Sequence, residues 1–216
     1  MKKKPVKKPP AKKKPVVSFR RAPSAKKPAP KAAPKKPAPR KAEAAVSVGE
    51  KLPVIVKSSA VISDPFRYTL YRVWDYKKPV LVFVMLNPST ADADNNDPTI
   101  RRCISFAVAL GYGALVVVNM FALRATDPAQ LDNVSDPFGP SNAQYVWSCC
   151  SQRDVIVAWG ARRPIIKKWN ADRITFDNIM RSKPNKVMAL AVNADGSPKH
   201  PLYISGSAKP KAWRMK

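Results

Sequence analysis

The chain is 216 residues long and carries 40 Lys and Arg against 14 Asp and Glu, for a formal net charge of +26. No apolar run approaches the roughly 20 residues that a membrane-spanning helix needs, and three cysteines beside a single histidine, with no C-x-x-C spacing, exclude the common zinc-site patterns. Charge of this sign and size makes a polyanion the natural partner.

Residues 1–50 hold 17 Lys and Arg against two Glu, with Pro and Ala filling most of the rest. So few large apolar side chains cannot offset the entropy of ordering the backbone, which predicts a disordered cationic tail kept extended by self-repulsion and by the stiffness of Pro. The tail resembles the low-complexity basic tails of linker histones. It accounts for +15 of the charge and the rest of the chain for +11, so both parts are basic. Nucleic acid is the expected partner, DNA rather than RNA, because each phosphate neutralised by Lys or Arg releases condensed counterions. No membrane partner is expected, since no amphipathic apolar face accompanies the lysines. Without the apolar h-region of a secretory signal, a cytoplasmic, nucleoid-associated location follows.

Residues 51–208 suffice for one α/β domain, with 209–216 left as a short basic C-terminal tail. Arg67 to Trp74 has the aromatic and β-branched content of a strand, and Tyr76 to Pro79 turns the chain into a second strand, Val80 to Leu86. That second run is apolar on both faces, which suits a central strand covered from either side. Asp97-Pro98 reads as N-cap and first helical residue of a helix with Ile100, Cys103, Ile104, Ala107 and Leu110 on one face and Gly111 as terminator. Ala114 to Val118 is the next buried strand. A second helix is expected from about Pro140 to about Ser151, a strand from Asp154 to Trp159, and a helix opening at Pro164 with Ile165, Ile166, Trp169, Phe176 and Met180 on one face. Lys186 to Val192 closes the sheet. This alternation predicts a three-layer α/β/α sandwich with a mostly parallel central sheet and right-handed crossovers. Cys103, Cys149 and Cys150 are read as reduced, with Cys103 in the core.

The polar residues where the apolar strands run out carry the functional argument. Asn87-Pro88-Ser89 follows the Val80 strand, Asn119 follows the Ala114 strand, Trp159-Gly160 ends the third, and His200-Pro201 lies beyond the last. Strand ends at one edge of an open α/β sheet share the crevice where ligands bind, so these scattered residues are expected to meet in one composite pocket.

Arg67-Tyr68 through Trp74, Met85 to Asp92, Asp97 to Arg102, Gly111-Tyr112-Gly113, Val118 to Thr126, Gly139 to Asn142, Ala158-Trp159-Gly160 and Gly196 to Tyr203 together resemble the family catalogued as domain of unknown function 1643. The likeness covers about residues 60 to 205. More distantly, the chain resembles the uracil-DNA glycosylases. In those enzymes one strand ends in an Asp/Asn-Pro segment, a later apolar strand ends in Asn, another in Trp-Gly, and a His-Pro segment comes last. Asn87-Pro88, Asn119 to Arg124, Trp159-Gly160 and His200-Pro201 stand in the same order. The departures are the missing Gly two residues before Asn87, Asn87 where a general-base Asp would stand, and Leu202-Tyr203-Ile204 after His-Pro.

That second resemblance implies a glycosylase-like fold and a site for a base or nucleotide. Asn87 and His200 would be the catalytic pair, His200 donating to the oxygen of the departing base and Asn87 positioning water or the sugar. Pro88, Ser89, Asn119, Phe121, Arg124, Trp159, Gly160 and Tyr203 would line the substrate site, with Asn119 reading the base edge, and Tyr112, Phe121 or Tyr203 stacking on the base. Arg101 and Arg102, basic residues at a helix N-terminus where acids are favoured, would contact phosphate. A duplex base would have to be flipped out to reach such a pocket. No cofactor and no metal is expected.

Each of these residues also has a purely structural reading. Asn87 before Pro is an ordinary turn residue, Asn119 a hydrogen-bonded core amide, and His200 a solvated loop histidine. Asp92, Asp94 and Asp97 are spaced like a metal cluster, but Asp97 is better used as an N-cap. The alternative function is non-enzymatic binding or tethering of nucleic acid through the tail.

Overall fold

The computed structural model describes residues 52–215. The predicted disordered tail, residues 1–50, lies outside the described residues. The described chain opens with a hairpin of β1 (Lys57–Ser63) and β2 (Phe66–Val73). It continues through β3 (Val80–Met85), α1 (Pro98–Ala109), β4 (Ala114–Asn119), α2 (Asn142–Cys150) and β5 (Asp154–Val157). Two short helices follow, α3 (Pro164–Trp169) and α4 (Ala171–Arg181), and then β6 (Lys186–Ala189) and β7 (Lys211–Ala212).

One seven-stranded sheet results, in the order β1-β2-β4-β3-β5-β6-β7. Its four inner strands β4, β3, β5 and β6 run parallel, as their apolar sequences predict, and β3 and β4 are buried along nearly their whole length. β1, β2 and β7 add antiparallel to the two edges, so the sheet is mixed outside its parallel centre. β1 was not expected from the sequence. All its side chains but Ala60 are exposed, so backbone pairing with β2 rather than burial holds it in place.

Because β3 neighbours both β4 and β5, the chain leaves β3 toward one edge and later returns past it toward the other. Right-handed crossovers then put α1 on one face and α2 to α4 on the other. Alternate residues of β3 record this. Leu81, Phe83 and Met85 pack with Ile100, Cys103 and Ile104 of α1. Val82, Val84 and Leu86 pack with Val146 and Cys150 of α2 and with Ile165, Ile166 and Ile179 of α3 and α4. Helices thus pack on both faces of a mixed sheet in which three strand pairings are parallel and three antiparallel, where a mostly parallel sheet was expected, and all three cysteines are free.

Asp97 caps α1 by accepting the Ile100 N–H at 2.8 Å, and Gly111 takes a left-handed φ of 84° just past the helix end. Three expectations need correction. The single helix opening at Pro164 is broken at Asn170, whose left-handed conformation (φ 49°, ψ 36°) ends α3 before α4 begins. Met180, expected on the buried face of that helix, is exposed. The short basic C-terminal tail is, over its described residues 209–215, joined to the domain. β7 pairs with β6, and Trp213 is buried edge-on against Trp159 and Phe176 with its indole N–H donating to the Gly196 carbonyl at 3.1 Å. No helix among the described residues is long and apolar enough to cross a membrane.

Candidate functional site

Parallel strands end at one edge, and the segments that leave β3, β4, β5 and β6 there enclose a cavity of about 540 Å³. Leu86, Asn87 and Ser89 come from the β3 end, and Ala125, Thr126 and Pro128 from the stretch after β4. Trp159, Gly160, Ala161 and Arg163 follow β5, while Asn193, Lys199, His200 and Tyr203 follow β6. Thr99 completes the wall from the first turn of α1. The cavity therefore lies beside the switch point made where β3 is flanked by β4 and β5, the place where open α/β sheets bind ligands.

Backbone hydrogen bonds knit these segments together. Met120 and Phe121 donate to Met85 and Leu86 carbonyls at 2.8 and 2.9 Å, and Ala125 donates to Pro88 at 2.9 Å. Gly160, in the left-handed region at φ 87°, donates its N–H to the Pro198 carbonyl at 2.9 Å, which draws the β5 end against the His200 loop. A Cβ at this position would stand 3.6 Å from the His200 Cβ, so backbone conformation rather than space selects glycine. The loop between Asn87 and Asp97 is anchored from β2. Buried Arg72 donates to Asn96 Oδ1 at 2.9 Å and to the Asp92 carbonyl at 2.6 Å, and buried Arg67 donates to the Ala91 carbonyl. Burial pulls the Arg67 guanidinium down to about 10.

Asn87 and His200 share this cavity. The Asn87 amide nitrogen spends both hydrogens on backbone, donating to the Ala125 carbonyl at 2.7 Å and the Pro88 carbonyl at 3.0 Å. That geometry fixes the amide orientation and leaves Oδ1 as the free acceptor. It also explains why Asn rather than Asp stands here, since a carboxylate would face two carbonyl oxygens with no hydrogen to offer. His200 accepts the Leu202 N–H on Nδ1 at 3.4 Å, which places the proton of the neutral ring on Nε2. Burial, followed by the opposing pull of Asp97 and the repulsion of Arg163, lowers its pKa from 6.5 to about 4. His200 is thus a neutral N–H donor at neutral pH. Tyr203, 71% exposed, stands beside it with ring centroids 5.7 Å apart.

Several expected site residues lie elsewhere. Asn119 is 1% exposed and absent from the cavity wall. Its carbonyl accepts from Asn142 Nδ2 at 3.0 Å, and its own Nδ2 has no partner among the described residues. Phe121 is buried against Phe138 in the core, and Pro88 is buried behind the lining. Neither can stack on a ligand there. Tyr112 donates its hydroxyl to Asp154 Oδ2 at 2.5 Å at the start of β5, the opposite edge of the sheet. Arg124 pairs with Asp64 at 3.3 Å, Arg101 donates to the Asn96 carbonyl, and Arg102 donates to the Ile204 carbonyl while covering the Phe106 ring. None of these three lines the cavity. Asp92 accepts from the backbone of Asp94 and Asn95 and Asp97 caps α1, each carboxylate serving its own turn.

The sequence reading overlooked Arg163 and Lys199, the cations that do line the wall. Their positions carried a signal, since Arg163 follows Gly160 by three residues and Lys199 directly precedes His200.

A family model described as "Protein of unknown function (DUF1643)" matches residues 67–202, and the chain belongs to that family. No curated protein and no solved structure matches the chain.

Proposed function

We propose that this member of the DUF1643 family is a nucleic-acid-associated protein whose strand-end cavity takes a base or nucleotide and acts on it as a glycosylase-like enzyme. The observation that supports the reading is that Asn87, its amide nitrogen held by backbone, and a neutral His200 line one cavity at the ends of four parallel strands. Tyr203 at the rim offers the face on which a base would stack.

Hydrolysis of a base–sugar bond breaks the bond between the sugar C1′ and the base nitrogen, with the electron pair leaving on the base. Water adds to C1′, and the proton it loses ends on the departed base. In this site His200 Nε2–H donates to the base oxygen as negative charge develops there, a contribution of about 3 to 4 kcal/mol for one well-placed donor. Asn87 Oδ1 accepts from the attacking water or a sugar hydroxyl. With no carboxylate among the described residues of the wall, none of them is a strong base toward that water. The chemistry therefore suits a labile base–sugar bond whose departure leads and whose water follows.

The test is release of free base, or of an alkali-sensitive abasic site, from a panel of modified oligonucleotides. Turnover should fall at least about a hundredfold in His200→Ala, with salt-dependent oligonucleotide binding unchanged. Equal turnover in wild type, Asn87→Ala and His200→Ala would remove the site from the chemistry. The +15 charge of residues 1–50 favours a second reading, tethering of nucleic acid without catalysis. That reading prevails if no oligonucleotide is altered and binding depends on the tail alone.

A further inference from the structure

We propose that the cavity holds its ligand by a phosphate group between Arg163 and Lys199, so that it takes a nucleotide or a phosphodiester in preference to a free base or nucleoside. The inference rests on the base-pocket reading above and adds the group that this pocket selects.

Among the described residues, the wall contains two cationic side chains and no Asp or Glu. Neither cation is neutralised. Arg162, one residue away, is held by Asp172 at 2.7 Å, and Arg124 is held by Asp64, whereas Arg163 and Lys199 form no ion pair among the described residues. Two like charges facing one concavity repel each other and focus a positive field into it, and a bound dianion relieves the first and exploits the second. The Arg163 charge reaches the imidazole, where it opposes protonation. The acid whose charge acts on the imidazole is Asp97, which is committed to the α1 cap and lies outside the lining. Ser89, Thr99 and Thr126 add hydroxyls to the same wall, the usual company of a phosphate oxygen. A volume of about 540 Å³ leaves room for a base, a sugar and one phosphate.

The two cations sit after different strands, Arg163 beyond β5 and Lys199 beyond β6, where the Gly160 N–H donates to the Pro198 carbonyl of the His200 loop. Tyr203, at the same rim, follows Lys199 closely in the chain. A ligand with its phosphate on the cations can therefore lay its base toward His200 and Tyr203 without leaving the cavity.

Calorimetry on the full chain at fixed ionic strength tests this with nucleoside 5′-monophosphates, the matching nucleosides, inorganic phosphate and a short single strand without terminal phosphates. A monophosphate should bind about tenfold or more tighter than its nucleoside. That preference should disappear in Arg163→Gln/Lys199→Gln, a pair open enough to solvent to leave folding intact. In parallel, inorganic phosphate should raise the titration midpoint of His200 in the wild type and leave it unmoved in the double variant. Competition by the single strand assigns the phosphate to a nucleic-acid backbone, and competition by the mononucleotide alone assigns it to a free nucleotide. Equal affinity for nucleotide and nucleoside, or a preference that survives the double substitution, overturns the proposal. Phosphate binding that needs both cations while no nucleoside or base adds affinity would uphold the anion site and refute the base pocket.

Discussion

Replacing His200 by Gln isolates the neutral donor, because it is the only histidine in the chain and its titration is read without assignment. With a pKa of about 4, the ring is charged at pH 7 about one time in a thousand, against about one in four at its ordinary 6.5. The unfolded chain takes up the proton near 6.5 while the folded chain resists until about 4, so between those values the unfolded state binds more protons. Stability from the neutral ring is therefore complete above 6.5 and is lost as pH falls toward 4. At pH 5 the loss amounts to roughly 2 kcal/mol, an upper bound because solvent reaches part of the ring. Urea unfolding of wild type and His200→Gln at pH 7.5 and pH 5 should show this extra slope in the wild type only. Carboxylates titrate alike in both proteins and cancel in the difference. An NMR midpoint near 6.5, or identical pH slopes in the two proteins, would refute the half-buried, neutral imidazole.

Asn87→Asp should destabilise by about 1 to 3 kcal/mol in chemical denaturation, because it turns two donor bonds into contacts between a carboxylate and the Pro88 and Ala125 carbonyls. Arg72→Leu should cost about 3 kcal/mol or more and also weaken ligand binding, since it frees the loop that carries Asn87 while leaving its carbonyls unpaired. Tyr203→Ala should change stability by less than about 0.5 kcal/mol, as expected for an exposed side chain, yet lower base affinity by roughly 1 to 3 kcal/mol in a binding titration. Gly113→Ala should prevent folding or destabilise severely, because a Cβ there would lie 2.0 Å from the Asp75 carbonyl oxygen. Expression yield and thermal unfolding report that outcome.

Asn87 shows how far residue type alone can carry a reading. The amide after an apolar strand was legible as a strand-end group, but whether its oxygen or its nitrogen faces the cavity depends on the Ala125 carbonyl 38 residues away. His200 is similar. Its loop position was visible, whereas its neutrality comes from burial and from Arg163, neither of which adjoins it in sequence.

Periodicity by itself determined the alternation of strands and helices, the doubly buried centre at Val80–Met85 and Ala114–Asn119, and the caps at Asp97 and Gly111, since these follow from local side-chain burial and backbone preference. Tertiary structure alone decided the rest. β1 buries almost nothing and β7 is two residues long, so no hydrophobic pattern announces them, and they exist because an edge strand offers them hydrogen bonds. Asn119 and Phe121 looked like lining residues because they follow a strand, yet the chain beyond β4 runs on beside the β3 end with both of them buried. Which cations enter the cavity was decided the same way. Arg102 and Arg124 are drawn off by neighbours distant in sequence, and Arg163 and Lys199 are left facing the space between strands.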